Sequence, residues 1–160
     1  MEDGSQSLII YFSMSGTTEA AAQQIQKATG ADIVRLQRAT PYPRDYSDYT
    51  KVADYERQHH IHPAIRPTIP NLAKYQLVLI GYPAWWSQPP MVIRTLFDDY
   101  DFRGKTIIPF MTSMSTSMQD SMPTMCRLAK QAGATIENGF RYDGNKDALK
   151  QFLQQNHLLK

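Results

Sequence analysis

Leu8-Ile9-Ile10-Tyr11-Phe12 is an apolar run of strand character, and it leads directly into the hydroxyl-rich loop Ser13-Met14-Ser15-Gly16-Thr17-Thr18. The alanine- and glutamine-rich residues 19–25 then open a helix. The first turn of a helix leaves backbone N–H groups unpaired, and the helix dipole places partial positive charge there. A strand, a small-residue turn and a helix N-terminus in this order predict an anion-binding cradle. Because the loop contains no lysine or arginine, we expect neutral donors to hold a phosphate there.

The composition is that of an ordinary globular chain. With 160 residues, 42% hydrophobic and 20% charged, the sequence favours a single domain over residues 1–160 that needs no metal or disulfide for its core. Residues 1–6 are expected to form a flexible tail. Cys126 has no partner for an intramolecular disulfide, which suits a reducing compartment, and its helical setting predicts a packed, unreactive thiol.

Charge and hydropathy exclude two classes of partner. The net charge of +2 is too small to indicate nucleic acid binding. The acidic N-terminus is unlike a signal peptide, and no apolar run approaches the length of a membrane span. We therefore expect a cytoplasmic protein with no membrane partner.

Strand-like and helix-like segments alternate along the chain, which is typical of a parallel sheet with covering helices. The predicted strands one to five cover residues 8–12, 31–37, 77–82, 105–111 and 134–140. The predicted helices cover residues 17–28, 46–58, 91–100, 122–131 and 146–155, and Gly30 is expected to end the first in a left-handed conformation.

Hydrophobic patterning predicts the order of the strands. Strands one, three and four are nearly continuous apolar runs, as expected for strands covered on both faces. Strands two and five are more polar and suit the sheet edges. The resulting fold class is a doubly wound α/β domain with a five-stranded parallel sheet in the order 2-1-3-4-5, whose crevice opens at the carboxyl ends between strands one and three. Pro109, which lacks a ladder donor, is expected near the end of strand four as a local defect.

Three unusual loops follow strands one, three and four. We call residues 13–18 loop one, the aromatic and proline-rich residues 83–90 loop two, and the polar residues 112–118 loop three. Because these strands are neighbours in the predicted order, the three loops converge on one edge of the sheet. A phosphate cradle, two tryptophans and a neutral polar loop together suit a flat aromatic ligand with a phosphorylated tail.

At these residues the chain resembles the flavodoxin-like family, in particular its short-chain FMN-binding branch with a Trp-Trp pair after strand three. The resemblance rests on motifs whose order and spacing agree over most of the chain. They are Tyr11-Phe12-Ser13-Met14-Ser15-Gly16-Thr17-Thr18, Thr29-Gly30-Ala31-Asp32, Pro41-Tyr42-Pro43, Gly81-Tyr82-Pro83-Ala84-Trp85-Trp86 and Asp101-Phe102-Arg103-Gly104-Lys105-Thr106-Ile107-Ile108-Pro109-Phe110. The family implies non-covalent FMN, with its phosphate in loop one and its ring between loops two and three.

The resemblance also implies a set of cofactor-binding residues. Those around the phosphate would be Ser13, Ser15, Gly16, Thr17 and Thr18; those flanking the flavin ring would be Pro83, Ala84, Trp85, Trp86 and Ser87; and those at its pyrimidine edge would be Thr112, Ser113 and Ser117. No protein residue need act as an acid or a base, because the flavin carries the chemistry.

Two departures from the family pattern stand in loops two and three. Ser87 occupies a place where the family often has glycine, and a flip to positive φ would cost more for serine. Loop three carries Met114 and Met118 where glycines are common, and these methionines are candidates to cover the flavin or shape a substrate pocket.

Plainer interpretations exist for each candidate residue. Ser13–Thr18 could be an ordinary helix cap, and one tryptophan of the pair is expected to pack in the core or at a dimer surface. His59, His60 and His62 have poor spacing for a metal on one helix face, so we expect a solvated helix end and no metal site.

The sequence therefore predicts an FMN-binding redox protein and leaves its reaction open. An electron carrier would exchange electrons with a partner protein, whereas a reductase would take hydride from NAD(P)H and pass it to a quinone or a similar small acceptor. A flavin-free binding module on the same scaffold is the alternative from another class. The oligomeric state stays open, a homodimer included.

Overall fold

The computed structural model describes residues 7–69, 71–113 and 116–158, so the expected tail at residues 1–6 lies outside the described residues. The strands are β1 (Ser7–Tyr11), β2 (Asp32–Arg35), β3 (Gln37–Arg38), β4 (Ile65–Arg66), β5 (Leu77–Pro83), β6 (Thr106–Thr112), β7 (Thr135–Ile136) and β8 (Phe140–Tyr142). The helices are α1 (Thr17–Thr29), α2 (Tyr46–Gln58), α3 (Met91–Asp99), α4 (Met118–Gln131) and α5 (Lys146–Gln155), with a short 3-10 helix at Leu72–Lys74.

The main sheet is parallel and runs in the order β2-β1-β5-β6-β7, with β8 also paired to β6. The predicted order 2-1-3-4-5 is confirmed, since β5 and β6 are the predicted strands three and four. The register places Tyr11 beside Gly81 and Pro83 beside Thr112. The carboxyl ends of β1, β5 and β6 therefore meet at one edge, where the three loops begin.

A hydrophobic core fills the space on each face of this sheet. Leu8 and Ile10 of β1 face one core with α3 and α4, while Ile9 faces the other core with α1 and α5. Alternate residues of a strand point to opposite faces, so an unbroken apolar strand supplies both cores. This two-sided burial is the doubly wound arrangement that the patterning predicted.

Pro109 lies in the middle of β6, and the expectation that it stands near the strand end is wrong. The N–H of Glu137 donates to the carbonyl of Ile107 at 2.9 Å. In a strand, the backbone N–H and C=O groups of every second residue point to the same neighbouring strand. Pro109 stands two residues after Ile107, so its backbone also faces this side, between β7 and β8. A Cβ on Gly139 would lie 2.9 Å from the Pro109 carbonyl oxygen. The missing donor therefore coincides with the break that divides the predicted fifth strand in two.

The starts of the helices depend on their caps. Helix α4 begins at Met118, four residues earlier than the predicted start at residue 122. The Ser117 hydroxyl accepts from the N–H of Gln119 at 3.2 Å and so caps the helix at the earlier point. Gly30 ends α1 with φ 73°, as predicted. The predicted bounds of α2 and α5 are confirmed.

The predicted second strand is also divided. Its last part forms β3, which pairs antiparallel with β4 in a separate two-stranded sheet. The sequence did not predict this pair, because β4 lies in a proline-containing connector that reads as extended surface chain.

Candidate functional site

Loop one forms an open helix N-terminus at the end of β1. Gly16 is the N-cap residue of α1, with φ 93°, and a Cβ built there would meet nothing within 4 Å. Its N–H donates to the Ser13 hydroxyl oxygen at 3.1 Å, which holds the loop in place. The exposed hydroxyls of Ser15 and Thr17 lie 3.2 Å apart at the mouth. Glycine has no side chain to satisfy the first-turn N–H groups, so these donors can receive an anion.

A cationic side chain reaches loop one from β2. The Arg35 guanidinium donates to the Ser13 carbonyl oxygen at 3.3 Å and pairs with the Glu19 carboxylate at 3.4 Å. The Tyr11 hydroxyl also donates to Glu19 at 3.3 Å, and burial together with this carboxylate raises the pKa of Tyr11. The loop itself is neutral, as its sequence requires. Arg35 offsets the negative charge that Glu19 brings to the first turn of α1.

The sequence prediction missed Arg35. Its signal was available, because Arg35 stands at the carboxyl end of the strand predicted to lie next to strand one. In the sequence, Arg35 counts only toward the polar character that predicts an edge position for strand two.

Loops one and three are joined by a buried hydrogen bond. The Thr18 and Thr112 hydroxyl oxygens lie 2.7 Å apart, and the two residues are 1% and 5% exposed. The Ala84 N–H donates to the Thr112 carbonyl oxygen at 3.3 Å, which ties loop two to the same point. The three predicted loops therefore meet, and two of the predicted site hydroxyls satisfy one another.

Loop two is built on a tight turn. Trp85 and Gln88 exchange backbone hydrogen bonds of 2.9 and 3.0 Å, and the central residues Trp86 and Ser87 have φ of 53° and 63°. This is the geometry of a type I′ turn, which favours glycine or asparagine. A left-handed conformation costs a side-chain-bearing residue about 1–2 kcal/mol. We expected serine at position 87 to make a flip to positive φ costly. The structure already holds Ser87 at positive φ.

The two tryptophans have different surroundings. Trp85 is half-buried, with edge-to-face contacts to Phe12 and Tyr42 at centroid distances of 5.4 Å and a more parallel contact to Tyr49 at 6.0 Å. Trp86 is 43% exposed, and the Arg57 guanidinium carbon lies 4.9 Å from its ring centroid. Trp85 therefore packs against the core, and Trp86 presents the accessible ring.

A cleft of about 220 Å³ separates loop two from α2. Its lining residues are Tyr46, Tyr49, Thr50, Ala53, Ala84, Trp85 and Trp86. Tyr46, Tyr49 and Ala53 recur at helical spacing on one face of α2, a pattern in the sequence that the prediction of the site did not use. The cleft has the mixed aromatic and polar walls of a small-molecule site.

A buried carboxylate anchors α2 above the sheet edge. Glu56 is 2% exposed, and it accepts from the Tyr42 hydroxyl and from the Arg38 Nε at 2.9 Å. Burial and the neighbouring Glu56 raise the pKa of Tyr42 well above its ordinary value, so the phenol stays a donor. Because Tyr42 also contacts Trp85, the same network holds one wall of the cleft.

Loop three is partly engaged in its own structure. The Ser113 hydroxyl oxygen accepts from the Thr116 N–H at 2.8 Å, and Ser117 caps α4. Met118 is 8% exposed and packs in the core, so its expected place over a ligand is wrong. Met114, the other methionine named for that role, lies outside the described residues.

The remaining candidates behave as surface residues. His59, His60 and His62 are exposed, and the described part of the chain contains no group of three potential ligands that could hold a metal ion. Cys126 is exposed, so the expected packed thiol is wrong; its neighbour Met125 is buried because successive helical residues point in different directions. Over the described ranges, no helix combines the length and apolar character needed to cross a membrane.

Comparison with known proteins identifies relatives of this architecture. A family model described as Flavodoxin matches residues 6–156. No curated protein matches the chain. A putative flavoprotein from Bacteroides eggerthii is 28% identical, with 93% of this chain and 96% of that chain covered at a TM-score of 0.83.

Two further solved structures are similar. A putative flavoprotein from Bacteroides uniformis is 29% identical, covering 96% of this chain and 99% of its own at a TM-score of 0.81. A flavoprotein from Lactobacillus acidophilus in complex with FMN is 24% identical, covering 90% and 97% at a TM-score of 0.75, a likeness that concerns the fold.

Proposed function

This chain belongs to the flavodoxin family, and from that premise we propose that it binds FMN non-covalently and transfers electrons through it. The observation that carries the proposal is the meeting of three loops at one sheet edge. The Thr18–Thr112 hydrogen bond joins the open N-terminus of α1 to loop three, and Thr112 accepts from loop two. In open α/β sheets, this carboxyl-end crevice is the usual ligand site.

The residues of loop one fit a phosphate. Gly16 leaves open space at the N-terminus of α1, where unpaired N–H groups and the helix dipole favour an anion. Ser15 and Thr17 add exposed hydroxyl donors. We assign the phosphate contacts to the hydroxyls of Ser15 and Thr17 and to backbone groups of Ser13, Gly16 and Thr18, because the Ser13 and Thr18 hydroxyls are already engaged within the protein. Arg35 supports this assignment because it offsets the Glu19 carboxylate, which would otherwise repel a phosphate.

Loops two and three fit a flat ring. Trp86 offers an accessible indole face, and Trp85 supports loop two from the core side. We assign the ring contacts to Pro83, Ala84, Trp85, Trp86 and Ser87, and the contacts at the polar edge to Thr112, Ser113 and Ser117. The left-handed turn at Trp86 and Ser87 holds these side chains at the cost of backbone strain, and such strain often accompanies a binding site.

FMN, when bound, supplies the redox chemistry, and the protein supplies orientation and electrostatics. The first turn of α1 holds the anionic tail, and the Thr18–Thr112 bond keeps loops one and three in register. The aromatic walls exclude water and lower the local dielectric constant. Since Arg35 is already paired, the site adds little positive charge, so negative charge accumulating on the ring is costly. We therefore expect a two-electron reduction potential below that of free FMN; an unshifted potential in a potentiometric titration would contradict this.

A second candidate function is reduction of a small acceptor by NAD(P)H. The cleft between α2 and loop two favours it, because its aromatic and polar walls include Trp86, beside the proposed ring site, and suit a small planar acceptor. A carrier that docks a partner protein needs only an exposed flavin edge. The modest net charge of +2 also differs from the acidic surface common among flavodoxin carriers.

Reconstitution tests the proposed cofactor. The purified chain should quench FMN fluorescence on titration and acquire flavin absorbance, while riboflavin, which lacks the phosphate, should bind more weakly. Gly16→Val is the matched variant, because a branched side chain at φ 93° distorts the cradle. No quenching by the wild-type chain would refute the proposal and leave a flavin-free binding module.

Anaerobic mixing of the FMN-loaded protein with NADPH separates the two reactions. Rapid bleaching of the flavin absorbance would support the reductase. If the flavin stays oxidised with NADPH and NADH but is reduced by dithionite, the carrier remains.

A further inference from the structure

A second pocket, with a volume of about 210 Å³, lies between the end of α2, loop two and the start of α3. It shares Ala53, Trp85 and Trp86 with the cleft described above, and its remaining walls differ. Arg57, His60, Gln88, Pro90 and Arg94 are among the residues that line it. No residue of loop one does, so this pocket is separate from the phosphate cradle.

Arg94 is the feature of this pocket that lacks a structural explanation. Its Nε is buried and has no hydrogen-bond partner among the described residues. No carboxylate among the described residues forms an ion pair with its guanidinium. Its charged neighbour is Arg127, and burial together with this second cation lowers the pKa of Arg94. A buried donor without a partner loses its hydration and gains nothing in return.

The other cation at the pocket is already satisfied. Arg57 pairs with Asp54, and its guanidinium lies over the Trp86 ring. Arg94 is therefore the side chain with free capacity to bind an anion. A planar guanidinium matches the two oxygens of a carboxylate or phosphate, and such charge-assisted pairs are stronger than neutral hydrogen bonds.

His60 brings a further polar group to the same wall. It follows the end of α2 with φ 53°, a conformation usually left to glycine. The turn is closed by the Ile61 N–H, which donates to the Glu56 carbonyl oxygen at 2.9 Å. The end of α2 therefore places the His60 imidazole at the pocket, in a backbone conformation where glycine is usual and would supply no side chain.

We propose that this pocket binds a small aromatic carboxylate, with its acid group on Arg94 and its ring against the apolar wall of Trp85, Pro90 and Met91. This wall suits a planar ring and offers nothing to a bare inorganic anion. The pocket is formed by this chain's own side chains, so binding there does not depend on FMN. Its shared wall with the cleft would bring the bound acid beside the proposed flavin site.

Isothermal titration of the 160-residue chain with 2-naphthoate and 2-naphthamide tests the proposal. The two probes share a ring system and differ in charge, so the acid should bind about tenfold or more tightly than the amide, because only the acid pairs with Arg94. Both titrations are repeated with added FMN. Equal affinities, or no binding of the acid, would overturn the proposal whether or not FMN binds.

Variants assign the site to Arg94. Arg94→Gln should reduce 2-naphthoate affinity by about tenfold, as expected for loss of a charge-assisted hydrogen bond, and Arg94→Lys by less. Arg44→Gln, at an exposed arginine away from the pocket, is the matched control and should bind like wild type. Circular dichroism checks that each variant folds; should Arg94→Gln not fold, the acid–amide comparison on the wild-type chain still decides the proposal.

Inorganic phosphate distinguishes recognition of the ring from recognition of charge alone. It should displace 2-naphthoate only weakly. Benzoate, a small aromatic carboxylate, is the reference competitor. If phosphate displaces 2-naphthoate at the same concentration as benzoate does, the pocket is a general anion site and the assignment of an aromatic ligand is overturned. Unchanged 2-naphthoate affinity in Arg94→Gln would move the site elsewhere and refute the role of Arg94.

Discussion

The Thr18 and Thr112 hydroxyl oxygens lie 2.7 Å apart in the protein interior, although the two residues are 94 positions apart in the chain. Thr18 belongs to the first turn of α1, and Thr112 is the last residue of β6. Each hydroxyl satisfies the other where solvent is excluded. The bond therefore sets the distance between loops one and three, which the proposed FMN site bridges.

Replacing both of these threonines should destabilise the protein by much less than the sum of the two single replacements. Thr18→Val leaves the Thr112 hydroxyl buried without this partner, at a cost of about 1–3 kcal/mol in the free energy of unfolding. The double variant removes both polar groups and should fall well short of the sum of the single changes. Urea unfolding measures the cycle, with Thr68→Val at an exposed site as the control. Additive losses would show that the hydroxyls do not interact.

Arg35→Gln should weaken FMN binding through its phosphate. Glu19 would lose its positive partner and repel the phosphate from the first turn of α1. Since the pair is partly exposed, the expected loss is modest, about two- to fivefold in affinity. The measurement is FMN fluorescence quenching.

The control for this prediction is riboflavin, whose affinity should be unchanged because it carries no phosphate. The double variant Glu19→Gln/Arg35→Gln should recover FMN affinity. An equal loss for FMN and riboflavin would indicate that Arg35 instead stabilises the loop through the Ser13 carbonyl.

Alanine replacements of the two tryptophans should have different effects, one on the free energy of unfolding and the other on FMN affinity. Trp85→Ala removes the centre of an aromatic cluster, so the free energy of unfolding should fall by about 2–3 kcal/mol. Trp86→Ala removes an exposed ring and should change stability by less than about 1 kcal/mol while weakening FMN binding. Denaturation and FMN titration of both variants test this. If neither change alters FMN affinity, the proposed stacking is wrong.

Gly139→Ala should destabilise the edge of the sheet. The added methyl would lie 2.4 Å from the Met118 Cε and 2.9 Å from the Pro109 carbonyl oxygen, so neighbouring atoms must move. Overpacking of this kind costs about 1–3 kcal/mol. Asn138→Ala, at the exposed neighbour, is the control. Equal stability of the two variants in thermal unfolding would show that β6 and this segment separate easily.

The sheet order and most helix bounds could be predicted because they follow from local patterns. Continuous apolar runs identify the strands covered on both faces, and polar runs identify the edges. The start of α2 is encoded by Asp45, whose carboxylate accepts from the Asp48 N–H at 3.2 Å. Asn145 caps α5 in the same way at 3.0 Å. The start of α4 was missed because Ser117 was interpreted only as a ligand contact, whereas it is the N-cap of the helix.

The candidate site could be predicted only as a set of loops. Strand order alone brings loops one, two and three to one edge, so their convergence follows from the sequence. The sequence did not indicate that Thr18 and Thr112 satisfy each other, or that Trp85 turns inward and Trp86 outward. These outcomes depend on side-chain packing between segments distant in the chain.

The sequence alone determines the order of the strands, the helix caps and the absence of charge in loop one. Each of these can be predicted from patterns within a few neighbouring residues. The tertiary structure alone decides which groups lie next to one another. Arg35 pairs with Glu19, Arg94 lies near Arg127 without a carboxylate partner among the described residues, and the backbone of Pro109, which has no N–H, faces Gly139. Burial and long-range pairing set these relations, because the energy of a charge or a hydrogen-bonding group depends on what surrounds it in space.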